Sequence, residues 1–339
     1  MSALEHVPGP AFPFRFGVGL PTNGPFARPE IIFAIADRAE ALGLDDVWVN
    51  DHIDFPASRL WRSSAGTLES AMAGQVPNYF ESLTTVALLA GRLRRIGVGA
   101  HGIILPLRDP RIFAKQVATI HELSGRRLTI SPGIGAFPKD FEVMQVPFEQ
   151  RGRLLDEHLA AIHAIFNDPQ PVSFEGRSVR FTGATLYPVP SGLRLWVTGE
   201  SEPAWRRVVR WAGGWFTSYP AMAEYRPKLA RLRQLAVEAG RDPDRIDAAA
   251  TCFVCIGRTR EAALELCGPT LVQRFKSMER AFEVAAIGTA EEVGERLAER
   301  YRSGLRYLEI KFMCRTSDDL LEMLERLATE VLPPLRRLA

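Results

Sequence analysis

Two of the six histidines stand where a side chain can do proton chemistry. His52 follows Asp51 directly, where the apolar run Val47-Trp48-Val49 turns polar at Asn50-Asp51-His52. An imidazole titrates near neutral pH, and an adjacent carboxylate can fix its tautomer, so Asp51 and His52 read as a candidate acid–base pair. The plainer alternative is a capping aspartate beside a half-buried histidine. His101 ends a second apolar run, RRIGVGAHGIIL, with Gly99 and Gly102 close by, so a ligand or another backbone can come near. A metal shared by His52 and His101 would lack a partner, because GVGLPT carries neither His nor Asp, and Asp54 reads as a cap. The site is therefore read without a metal. A third stretch, VTGESEPAWRRVVRWAGG, places Gly199, Glu200 and Ser201 ahead of a helix. Free N–H groups, a helix dipole and a serine hydroxyl suit a phosphate there. Plain N-capping by Ser201 explains the same residues, and Glu200 would have to point away from a phosphate.

Weaker signals read as packing. ISPGIGAFPKD holds one G-x-G at Gly133 and Gly135, short of a nucleotide-binding fingerprint. Cys252 and Cys255 have CxxC spacing, but on a strand they face opposite ways, so the four cysteines read as buried free thiols. Trp48, Trp61, Trp196, Trp205, Trp211 and Trp215 could stack a flat cofactor, yet they read mainly as core.

The elements that must position these groups alternate from end to end. Strand candidates are FRFGVGLP (14–21), VWVND, the short entry ESL, RRIGVGAHGIIL, RLTISPGIG, LRLWVTG, GWFTS, IDAAATCFVCIG and RYLEIKFMC. Amphipathic helices lie between them. The first has Pro29 near its start and Gly43 past its end, with Ile31, Ile32, Ile35, Ala39 and Leu42 on one face. Strands apolar on both faces, joined by helices, fit either a doubly wound sheet or a (β/α)8 barrel. In a barrel, chemistry sits at the C-terminal strand ends, where Asp51-His52, Ser82, His101, Gly133 to Gly135 and Gly199 to Ser201 all fall. A closed barrel uses eight of the nine candidates, so one lies outside it or is no strand. Long insertions occupy 55–80, 167–192 and 257–288, and the first is long enough to act as a lid. No linker divides the chain, so residues 1–339 read as one domain, with 1–13 a flexible N-terminal segment.

Composition closes off other classes. A net charge of +2 over 339 residues gives no electrostatic case for nucleic acid or a membrane surface. No window reaches the roughly 18 apolar residues of a membrane span, and MSALEHVPGPAFPF lacks a signal core, so a cytoplasmic protein is expected.

Taken together, several stretches resemble the bacterial luciferase-like monooxygenase superfamily. They are GVGLPT, ALGLDDVWVNDH, ESLTTVALLAGRLRRIGVG, LPLRDPRIFAKQVATIHELSGRRL, PGIGAFPKDFEVMQVPFEQRGRLLDEHLAAI, VSFEGRSVRF, LWVTGESEPAWRRVVRWAGGWF and EAGRDPDRI. GTAEEVGERLAERYRSGLRYLEI is a weaker match. The resemblance implies a (β/α)8 TIM barrel binding a flavin or the deazaflavin F420 at the strand C-termini. GVGLPT with VWVNDH is most like the F420-dependent branch. On that likeness Asp51 and His52 lie against the reactive ring, and Ser82-Leu83 forms a non-proline cis peptide beside it. Gly199, Glu200 and Ser201 meet the cofactor phosphate. Ala100-His101 departs from the usual Thr-Gly, and Ser131-Pro132-Gly133 from Gly-Val-Gly, leaving Ala100 among the cofactor contacts and His101 as a reserve acid or base. The implied activity is hydride transfer between F420 and a small organic substrate, with His52, steered by Asp51, moving the proton. FMN-dependent monooxygenation is the alternative, and a non-catalytic flavin-binding barrel a further one. A homodimer is expected from the family likeness.

Overall fold

The computed structural model describes residues 14–53 and 78–338. Its strands are β1 (Arg15–Gly19), β2 (Asp46–Asn50), β3 (Gly97–Ile104), β4 (Leu128–Gly133), β5 (Val172–Glu175), β6 (Arg180–Ala184), β7 (Arg194–Thr198), β8 (Gly214–Thr217), β9 (Asp247–Ile256), β10 (Ala286–Gly288) and β11 (Tyr307–Phe312). Parallel pairing runs β1–β2–β3–β4–β7–β8–β9–β11 and returns to β1, so eight strands close into a barrel. The helices are α1 (Pro29–Ala41), α2 (Ser82–Arg92), α3 (Pro110–Leu123), α4 (Pro138–Val143), α5 (Arg151–Asn167), α6 (Glu202–Trp211), α7 (Met222–Glu238), α8 (Arg260–Phe275), α9 (Met278–Val284), α10 (Ala290–Arg302), α11 (Ser317–Arg326) and α12 (Leu332–Arg336). Among the described residues no helix is long and apolar enough to cross a membrane.

The ninth strand candidate, ESL, is a helix start. The Glu81 carboxylate accepts a bond from the Thr84 backbone N–H at 2.7 Å, which caps α2 at Ser82. The 167–192 insertion holds the antiparallel hairpin β5–β6. The 257–288 insertion holds α8, α9 and the short β10, which pairs with β9 outside the ring. The proposed lid at 55–80, with Trp61, and the segment 1–13 lie outside the described residues, apart from Asn78, Tyr79 and Phe80.

The barrel interior is filled by aromatic side chains, and two-residue alternation decides which ones. Trp48 of β2 stacks on Trp196 of β7 at 5.6 Å, with Phe216 and Tyr307 packed around them. These rings fit because their neighbours have no side chains. A β-carbon on Gly17 or Gly99, on the strands flanking β2, would lie 2.6 Å from the Trp48 indole. The intervening residues, such as Val47, Val49, Val98, Ala100 and Ile130, face outward into the main apolar layer under the helices. Trp48 and Trp196 are thus barrel core. All four cysteines are buried thiols that form no disulfide among the described residues.

Glycine at 97 is under the same constraint lower in the barrel, where its β-carbon would overlap the buried Asp46 carboxylate. Gly91, near the end of α2, has open space instead. Gly97→Ala should cost about 2 kcal/mol through overpacking, whereas Gly91→Ala should gain roughly 0.5 kcal/mol from reduced unfolded-state freedom. Thermal melts of the two variants should move in opposite directions.

Candidate active site

One turn above the aromatic layer the inward positions become polar. Asn50, His101, Thr198, Thr251 and Glu309 each follow by two residues a position at the level of Trp48, Gly99, Trp196, Ala249 and Tyr307. His101 lies nearly parallel on Phe216, with ring centroids 4.3 Å apart at 8°. Its Nε2 is 3.1 Å from Glu309 Oε2. The approach is oblique, an ion-pair contact without an aligned hydrogen bond. The Glu309 side chain is 0% exposed, while His101 keeps 13%. Glu309 also accepts a bond from the Thr251 hydroxyl at 2.5 Å and has Lys311 Nζ at 3.4 Å. Burial opposes its charge, but the neighbouring His101 and Lys311 and the Thr251 bond outweigh it, holding the carboxyl down at about 2.

The second imidazole lies at the rim. His52 Nδ1 is 3.1 Å from Asp140 Oδ2, and the other Asp140 oxygen accepts the Ile53 backbone N–H at 3.0 Å. Asp140 comes from the first turn of α4 and is fully buried. Tyr79 meets the His52 ring edge-on at 5.7 Å, and Phe137 lies 5.0 Å from it. Burial and the charges of Asp51 and Asp140 push the Tyr79 phenol well above its usual range, so it stays neutral.

The expected steering of His52 by Asp51 is not what the structure shows. Both residues lie just past the end of β2, and there Asp51 is turned into the framework. It accepts from both terminal nitrogens of Arg108 at 2.7 and 2.8 Å, the Ser82 hydroxyl at 2.8 Å and the Ile104 N–H at 2.9 Å. Ser82 is therefore a strut between β2 and α2. The Ser82–Leu83 bond is not among the cis peptides of the described residues, which are Gln170–Pro171 and Tyr187–Pro188. Leu83 and Ala100 both sit in the apolar layer outside the barrel, so neither side chain lines the mouth. Asp140 and Glu309 escaped the sequence reading. A signal for Glu309 existed, because Tyr307, Glu309 and Lys311 alternate with Leu308, Ile310 and Phe312 along one strand.

Around His101 the mouth is open. Gly102 has φ +66° and forms the bulge where β3 slips against β4. A β-carbon there would meet nothing within 4 Å, and its N–H donates to Thr198 Oγ1 at 3.2 Å. The Thr198 hydroxyl also contacts Ser131 Oγ at 2.8 Å. Gly199 brings α6 in close, since its β-carbon would lie 2.6 Å from that of Ala204. Ser201 occupies the N-cap of α6 without a side-chain cap bond, leaving its hydroxyl for other use. Glu200 turns toward β8, where it accepts from the Thr217 hydroxyl and the Ser218 N–H and pairs with Lys228 at 2.7 Å. Its charge is answered there. An open glycine bulge, a buried imidazole nitrogen without an aligned bond and a helix start without a side-chain cap leave room for a flat ring bearing a phosphate tail.

The profile of the luciferase-like monooxygenase family matches residues 9–307. A phthiodiolone/phenolphthiodiolone dimycocerosates ketoreductase of Mycobacterium sp. (strain JLS) is 26% identical over 285 residues, spanning 77% of this chain and 71% of that protein. An F420-dependent secondary alcohol dehydrogenase, solved with an F420–acetone adduct, has the same fold with TM-score 0.78 at 17% identity, over 96% of this chain and 99% of that one. So does the oxygenating constituent of 3,6-diketocamphane monooxygenase from Pseudomonas putida, solved with FMN. Its TM-score is 0.74 at 16% identity, over 94% of this chain and 98% of that one.

Two outcomes follow from the carboxylates. Asp51→Asn leaves the buried Arg108 guanidinium under-compensated and should cost about 3 kcal/mol in urea unfolding. Glu309, held below its usual 4.5, contributes stability that is full above about pH 4.5 and is lost as pH falls toward 2. Glu309→Gln should therefore lose stability less steeply than wild type between about pH 5 and pH 3. Parallel slopes would contradict the depressed ionisation.

Proposed function

The chain belongs to the luciferase-like monooxygenase family, and from that premise we propose that it is an F420-dependent oxidoreductase moving a hydride between the deazaflavin and a small organic substrate. The observation that carries this reading is the open bulge at Gly102, set among two imidazoles each held by a buried carboxylate. When bound, a deazaflavin supplies a two-electron hydride carrier. The chain's own residues do the rest. Gly199 and Ser201, at the start of α6, would hold the phosphate, with Glu200 turned away to Lys228. Gly102 and Ser131 let the ring approach the barrel. His52, steered by Asp140 rather than Asp51, gives or takes the substrate proton through its other nitrogen. Asp51, bound to Arg108, Ser82 and Ile104, fixes the loops that carry these groups.

FMN-dependent monooxygenation is the second reading, favoured by the likeness in fold to the FMN-bound oxygenating subunit. Titration of the purified protein with oxidised F420 and, in parallel, with FMN separates the two. Tight F420 binding with weak FMN binding supports the first reading, and the reverse supports the second. Binding of neither removes both and favours a non-catalytic barrel. With the preferred cofactor, His52→Asn should lower turnover by about 100-fold while cofactor affinity holds. Unchanged turnover would remove His52 from the chemistry.

The same reading includes a homodimer packed through α2 and α3. Leu88 on α2 and Ile112 on α3, helices that follow neighbouring strands, are each 60% exposed and would be covered in such a dimer. Light scattering should show a dimer in wild type and a monomer in the Leu88→Glu, Ile112→Glu double variant.

A further inference from the structure

Resting on that reading, we propose that Glu309 is a positioning residue whose charge holds His101 in place at the mouth, so that His101 serves the proton of the cofactor ring while His52 serves the proton of the substrate. Reduction of a flavin-type ring takes up a hydride at one atom and a proton at a ring nitrogen. In the oxidation of an alcohol, the C–H bond breaks and its hydride goes to the ring carbon. The O–H bond gives its proton to His52. His101 gives a proton to the ring nitrogen and is recharged from water at the mouth. Substrate reduction runs the same steps in reverse.

Two imidazoles are thus matched to two protons, and their positions divide the work. His101 belongs to the inward layer of the barrel, clamped by Phe216 at 4.3 Å and beside Trp48 at 6.2 Å. His52 stands on the rim between Tyr79 and Phe137. The ring approaching Gly102 meets His101, which leaves the rim side for substrate. Glu309 acts on His101 through charge. The 3.1 Å contact is oblique, so what Glu309 supplies is a negative charge beside the ring rather than an aligned hydrogen bond. A carboxylate enclosed in a barrel is expensive unless its partners are close, and this one has a place made for it. A β-carbon on Gly19 would lie 2.6 Å from Glu309 Oε1. The groups facing the pair are Lys311 and Tyr307 from β11, Thr251 from β9, Asn50 and Trp48 from β2 and Phe216 from β8. Arg274 of α8, packed on Phe253 at 4.1 Å, acts on Glu309 through its field. Lys311 and Arg274 both help keep Glu309 ionised.

The test has two arms. In cofactor-free protein, carbon NMR of the Glu309 carboxyl, assigned by its loss in Glu309→Gln, should show no titration from about pH 8 to about pH 4, and His101→Gln should move the titration upward. A wild-type carboxyl titrating above about pH 5, or one indifferent to His101→Gln, overturns the ion pair. In the second arm the midpoint potential of bound F420 or FMN, whichever binds, is followed against pH. The slope break in wild type should move by about one pH unit or more in Glu309→Gln, with oxidised-cofactor affinity changed less than about threefold. Glu309→Asp, which keeps the charge, should restore it. An unmoved break in a cofactor-binding Glu309→Gln protein overturns the role toward the ring. Failure of wild type to bind either cofactor instead sinks the functional reading beneath it, while the carboxyl titration still decides the ion pair.

Discussion

A closed eight-stranded barrel has an inside that must be filled, and here the filling is two tryptophans. Trp48 and Trp196 stack at 5.6 Å and leave no room for β-carbons at Gly17, Gly99 and Gly214 on adjoining strands. That packing fixes where the apolar floor ends. Because side chains alternate strictly along a strand, the next inward residues are two positions on, and those are Asn50, His101, Thr198, Thr251 and Glu309. The polar layer of the mouth is therefore held in register by the layer below it. A slip of one residue in β3 would bury His101 among the outer aliphatics and turn Ala100 inward.

The charges of the mouth fall into three groups with different work. Asp51 is neutralised from three elements at once, by Arg108, Ser82 and Ile104, and so ties β2, α2 and the end of β3 together. Asp140 reaches back from α4 to hold His52 at the rim. Glu309 crosses the barrel to His101. Only the first spends its carboxylate wholly on the framework. The other two leave one nitrogen of each imidazole for something other than that carboxylate. A single carboxylate serving both as strut and as histidine partner would have to meet two sets of directions with two oxygens.

The barrel itself was legible in the sequence, because helix-and-strand alternation with apolar strands admits few architectures and the quoted stretches select one. ESL misled because three residues cannot display a period, and the Glu81 cap decides the matter locally. The histidines were legible by their position at strand ends. Their partners were not, for a reason of distance. Asp140 is 88 residues from His52, and Glu309 lies at the other end of the chain from His101, so both depend on closure of the ring. Adjacency pairs Asp51 with His52, yet just past the end of β2 the two side chains diverge, Asp51 to Arg108 and His52 to Asp140. The Tyr307-Glu309-Lys311 alternation inside an otherwise apolar strand was readable. A polar face on a strand expected to be buried on both sides points to a site.

His101 brings these threads to one place. An imidazole where the family likeness puts glycine adds a bulky polar ring to a barrel interior already packed with aromatics. Such a ring needs a flat surface and a partner for its charge. Phe216 gives the first and Glu309 the second. Glu309 in turn needs space and counter-charge, which Gly19, Thr251 and Lys311 provide. Removing any one leaves another exposed to a cost: without Glu309 the His101 ring loses its charged neighbour, and without His101 a buried carboxylate keeps only Lys311 and Thr251 close by. Substitution of His101 by glycine alone is thus no return to the simpler arrangement. The five positions on β1, β3, β9 and β11 form one electrostatic unit, and a change at His101 must be read together with Glu309.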